Sequence, residues 1–187
     1  NSQIHIFSGA IQDDFYAYED CYVDISGGSI ADRLETTDNS QAYISGGSIG
    51  MGLKASDSSY MSISDGTVAG ELHAEQNSQV DVSGGTLGHE VYSEGNSRVN
   101  ISGGLETGNP LHAWDSSVFT IYGSYFVIDG VAVESGTFGA YPNGSERHGL
   151  LTGTLANGDP INNYVEIKDD AQLVLIPEPS TFLLLCF

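Results

Sequence analysis

Asp38 and Asp57 stand 19 residues apart, and Glu75 and Glu94 follow at almost the same interval. Carboxylates that recur with one period line up along one edge if the chain coils with that period. At a strand spacing of about 4.8 Å they form an oxygen-rich edge that holds Ca2+ weakly, or else a plain solvated acidic edge. Asp38 and Asp57 are the candidates for such an ion, and no other cofactor is expected. Tyr22 and Tyr60 recur two periods apart, with Gln41 and Gln79 in the alternate places and Tyr43 close by. Aromatic and amide side chains on a flat face suit stacking on sugar rings. Tyr22, Tyr60 and Tyr43 are therefore candidate glycan contacts, alongside the plainer reading of half-exposed strand tyrosines.

Other chemistry finds little support. Asp24 and Asp81 lie three periods apart, about 14 Å at the same strand spacing and too far for either glycosidase geometry. His5, His73, His89, His112 and His148 show no ligand spacing and are expected as solvated surface. His73 and His112 are two periods apart, about 10 Å, too far to share one ion. There is no Ser-His-Asp arrangement, Walker loop or zinc pattern. The net charge is −20, with only Arg33, Lys54, Arg98, Arg147 and Lys168 as cations, which argues against nucleic acid and anionic membrane surfaces. Cys21 and Cys186 give no disulfide framework. The expectation is a protein without catalysis.

The elements that must carry these residues follow from the period. Ser78 to Asn96, SQVDVSGGTLGHEVYSEGN, is one copy of a unit that recurs in six or seven places, starting near Ser2, Cys21, Ser40, Ser59, Ser78, Ser97 and Ser117. Such a period defines a repeat architecture before any local motif is read. The third, fifth, fourteenth and sixteenth places of the unit are apolar or small and alternate with polar neighbours. That is the period of strands with one face inward. Gly27-Gly28, Gly46-Gly47, Asp65-Gly66, Gly84-Gly85 and Gly103-Gly104 mark one corner, and Asp38-Asn39, Gln76-Asn77 and Gly95-Asn96 another. No single unit buries enough to offset the entropy of ordering it, so copies must stack and pair edge to edge. The predicted fold is all-β, a parallel β-helix (β-solenoid) of six to seven 19-residue rungs over residues 1–123. Residues 124–176 lose the period and read as a β-rich cap on the same core, with Asn157-Gly158 as a turn between strands.

Residues 176 to 187 read IPEPSTFLLLCF. Pro177, Glu178, Pro179 and Ser180, followed by the apolar Phe182 to Leu185, resemble the PEP-CTERM sorting signal of Gram-negative bacteria that carry exosortase. In that family Pro-Glu-Pro precedes a membrane-spanning helix and a basic cluster. Here the apolar run stops at Phe187, short of the roughly 20 residues a span needs, so the chain is expected to be truncated. The strand and the stretch Leu151 to Asp159 upstream also look like the end of such a domain. The resemblance implies export, transient membrane anchoring through the 177–187 tail, processing by exosortase near Pro177, Glu178 and Pro179, and delivery to the cell surface or extracellular matrix beside exopolysaccharide.

Two functional expectations follow. The first is a secreted or surface structural protein of a matrix or filament, self-associating or bound to exopolysaccharide. The second is a glycan-binding adhesin, with a polysaccharide-degrading β-helix enzyme behind it.

Overall fold

The computed structural model describes residues 2–141 and 145–178. It is an all-β solenoid of about six turns, and there is no helix among the described residues. Three columns of strands make its walls. The first holds Gln3–Ile6, Tyr22–Ile25, the start of Gln41–Ile49, the start of Tyr60–Val68, Gln79–Val82, Arg98–Ile101 and the start of Val118–Ile128. Their pairing is parallel and in register, Gln3 with Tyr22, Tyr22 with Gln41 and Gln41 with Tyr60. The step is one unit each time, until the longer sixth copy sets Arg98 against Val118. The third column holds Phe15–Ala17, Arg33–Thr36, Gly52–Ala55, Glu71–Ala74, Val91–Ser93 and Leu111–Ala113. The short second column joins them and ends in a bridge from Leu87 to Leu105.

In-register parallel pairing puts the same place of every unit directly above its predecessor. The inward places therefore fuse into continuous columns. Val23, Ala42, Met61, Val80 and Val99 form one, and Ile25, Ile44, Ile63, Val82 and Ile101 the next; all are buried. The corner after the first column needs glycine on two counts. Gly47 has φ +83°, and a Cβ there would sit 2.9 Å from the carbonyl oxygen of Gly28 in the preceding coil. Buried serines line the opposite corner, where Ser40 Oγ donates to the carbonyl oxygens of Ala17 and Thr37.

Beyond Ile128 the chain leaves the coil and then returns to it. Arg147–Leu155 and Pro160–Ile167 form an antiparallel pair around the Asn157-Gly158 turn. Residues 165–167 then lie parallel on Leu111–Ala113, and Gln172–Pro177 parallel on Val118 to Gly123. The segment expected as a cap thus includes a further turn of the solenoid frame. Antiparallel strands cover this turn: Gly136–Gly139 pairs with residues 172–175, and Arg147–Leu155 with Pro160–Ile167. At the other end, Gln3–Ile6 and Phe15–Ala17 each have a strand partner on one side only among the described residues.

Candidate functional site

The candidate tyrosines come together on the outer face of the first column. Places two and four of the unit point outward there because places three and five fill the core. Tyr22 and Tyr60 occupy place two with Gln41 between them, and Tyr43 occupies place four. The Tyr22 and Tyr43 rings are 5.2 Å apart at 29°, and Tyr43 and Tyr60 are 5.7 Å apart at 57°. His5 continues the line 6.3 Å below Tyr22 and is stacked on Phe7 at 5.8 Å. The result is a zigzag of rings across four successive coils. Sequence reasoning missed His5 and Phe7, although His5 holds the same place in its unit as Tyr43.

Polar groups fix these rings. Tyr43 Oη donates to Gln41 Oε1 at 3.2 Å, and Tyr60 Oη donates to Asp81 Oδ2 at 2.7 Å. Asp81 also accepts from Gln79 Nε2 and from Asn100 Nδ2, so it anchors the upper end of the ladder. Burial, with the Asp81 carboxylate second, pushes the Tyr60 phenol up to about 12. At the lower end His5 Nδ1 lies 3.2 Å from Asp24 Oδ2.

Asp38 and Asp57 turn out to have a structural task. Both are left-handed corner residues, at φ +57° and +56°. Each reaches back one coil to the amide of the matching corner: Asp38 Oδ2 accepts from Glu19 N–H, and Asp57 Oδ2 from Asp38 N–H. Thr37 Oγ1 also donates to Asp57 at 2.6 Å, and this bond leads the effects that hold the Asp57 carboxyl below its ordinary range. Gln76 and Asp115 do the same for Asp57 and Gly95. The ladder satisfies backbone donors that a tight corner would otherwise leave open. Neither Asp38 nor Asp57 belongs to a metal-competent group found among the described residues.

The outer face of the third column holds a second stack. His73, Tyr92 and His112 occupy one place of the unit in consecutive coils. Their rings lie 4.5 and 4.6 Å apart and within 12° of parallel. Trp114 packs against Tyr92 and His112, with Lys168 Nζ over its ring. A carboxylate serves each member of the stack. Glu71 bonds His73 Nε2 at 3.0 Å, Glu90 accepts from Tyr92 Oη, and Glu166 bonds His112 Nδ1 at 2.7 Å. The His73 bond is the first cause holding Glu71 below its usual range. Burial pushes Glu166 up, but Lys168 and His112 together outweigh it and bring the carboxyl down. The Tyr92 phenol is raised, first by its bond to Glu90. His73 and His112 are thus half-buried and partnered rather than simply solvated. The signal was present in the sequence: one place of the unit, read on consecutive copies, lands at ring-stacking distance.

In the tail, Pro177 ends the last strand opposite Gly123, and Glu178 N–H donates to the Gly123 carbonyl at 2.8 Å. Pro179 lies outside the described residues. Comparison of the chain with family models, with curated proteins and with solved structures finds no match.

Proposed function

We propose that this protein is a non-catalytic structural solenoid of the cell surface or extracellular matrix that associates with polysaccharide through its outward aromatic ladder. The observation that carries the reading is the ring series His5–Tyr22–Tyr43–Tyr60, one ring per coil. The coil repeat of about 4.8 Å is close to the length of a pyranose unit in an extended chain. A glycan lying along the solenoid would therefore meet successive rings, with Gln41, Gln79 and Asp81 as hydrogen-bonding neighbours. The net charge of −20 favours a neutral polysaccharide over an anionic one.

Export by an exosortase-dependent route belongs to the same reading and rests on the tail from Pro177. Self-association is lateral within it. Among the described residues, antiparallel strands lie on the C-terminal coil, where another copy would have to pair to continue the parallel stack. Catalysis has weak support. Glu71 and Glu90 lie near each other on the third face, but Glu71 is held down, whereas a general acid needs a raised carboxyl.

Co-sedimentation of the purified chain with insoluble neutral and anionic polysaccharides tests the proposal. Saturable retention on a neutral glycan, relieved by soluble oligosaccharide, is expected. Failure to bind any polysaccharide would remove the ladder as a glycan surface.

A further inference from the structure

We propose that Glu71, His89 and Glu90 form a binding site for a divalent ion of the zinc class. Glu71 and Glu90 hold the same place of the unit in adjacent coils, since Leu72 pairs with Val91. His89 precedes Glu90 at the corner leading into the third column. One ligand atom from each of the three lies within 4.8 Å of the others. His89 Nδ1 faces Glu71 Oε1 at 3.9 Å, beyond hydrogen-bonding reach. Zinc bonds of about 2.1 Å place tetrahedral ligands about 3.4 Å apart, so small side-chain rotations complete the site.

Two further observations point to a cation. First, both carboxylates are already oriented from behind. His73 holds Glu71 through Oε2, and Tyr92 holds Glu90 through Oε2, leaving Glu71 Oε1 turned toward His89. His73 and Tyr92 are themselves locked against each other in the ring stack. Such outer partners fix ligand direction in metal sites. Second, the same face carries a group of the same composition, Glu146, His148 and Glu166. That group already holds a cation, because Lys168 Nζ bonds both Glu146 and Glu166. Among the described residues no Lys or Arg ion-pairs with Glu71 or Glu90. Arg33, two coils away, acts on Glu71 only through space, so the two carboxylates lack the direct ammonium contact that the second group has. An imidazole among the ligands selects zinc-class ions over Ca2+ and Mg2+.

The test is calorimetric titration of the full chain with Zn2+ in the presence of millimolar Ca2+ and Mg2+. The expected result is one ion per chain, with proton release that grows toward acid pH because imidazole must be neutral to bind. His89→Ala, a change at an exposed corner, lowers affinity at least tenfold, and so does Glu71→Gln, which keeps an oxygen for His73. His148→Ala leaves the titration unchanged. Circular dichroism of each variant checks that the solenoid is intact. No binding, many equivalent weak ions unaffected by His89→Ala, or displacement by Ca2+ would each overturn the proposal.

Discussion

Tyr43→Ala is the sharpest test of the glycan face, because Tyr43 is the ring that joins Tyr22 to Tyr60. A sugar covering one ring face removes about 50 Å2 of apolar surface from water, worth about 1.2 kcal/mol or about eightfold in Kd. Removing Tyr43 also frees its two neighbours, so a loss of about 10- to 50-fold is expected, more than for Tyr22→Ala. The same change forfeits two ring pairs, about 1–3 kcal/mol of stability. Binding must therefore be measured well below the melting transition, with circular dichroism as a check. Tyr43→Phe keeps the ring and loses only the bond to Gln41, and should bind nearly as the parent does. Tyr92→Ala, on the other face, is the matched control. Affinity electrophoresis in gels containing the retained polysaccharide gives the comparison directly. Unchanged retention of Tyr43→Ala, or an equal loss in Tyr92→Ala, would refute the assignment of the face.

Three other outcomes follow from the geometry. Ile63→Ala opens a cavity in the middle of a fully buried column and should cost about 2–5 kcal/mol in denaturant unfolding, whereas Ile6→Ala in the half-buried first coil should cost clearly less. In an absorbance titration at alkaline pH, Tyr60 should ionise near pH 12. Its raised phenol adds stability that is present below pH 10 and is lost as pH rises through 12; Asp81→Asn should lower the step only in part, since burial is the larger cause. Glu71 and Glu166 are both held low, so their contribution is present above the ordinary carboxyl range of about 4.3 and is lost as pH falls through their lower folded values. The melting temperature should fall in that acid window, and Glu166→Gln should shrink the fall.

Period and alternation were enough to read the regular coils, because in-register stacking converts a place in the unit directly into a place in space. The same rule gave the Tyr22–Gln41–Tyr60 column. It gave no warning that Asp38 and Asp57 would turn back onto backbone amides. That depends on their left-handed φ, which the sequence marks only by the corner where they sit. Glu71, His89 and Glu90 escaped notice for a related reason. The period sets Glu71 beneath Glu90, but histidines compared only with one another do not bring His89 to that pair.

The return of the chain to the solenoid was hidden by length rather than by pattern. Val165 falls on Leu111, Ile167 on Ala113, Leu173 on Phe119 and Leu175 on Ile121, all buried. Asp169 repeats the left-handed corner of Asp115, at φ +54° against +60°, and Asp170 N–H bonds the Asp115 carbonyl. The inward, corner and outward places are all present, but an excursion of antiparallel strands separates them from the previous copy and erases the period. That excursion has a consequence for assembly. A solenoid grows by adding parallel strands to an edge, and here antiparallel strands occupy the C-terminal edge. Among the described residues the two ends are therefore unlike, and head-to-tail stacking of copies would have to displace the antiparallel strands at one of them. The proposed association therefore runs through the side of the solenoid, on the face that carries Tyr22, Tyr43 and Tyr60.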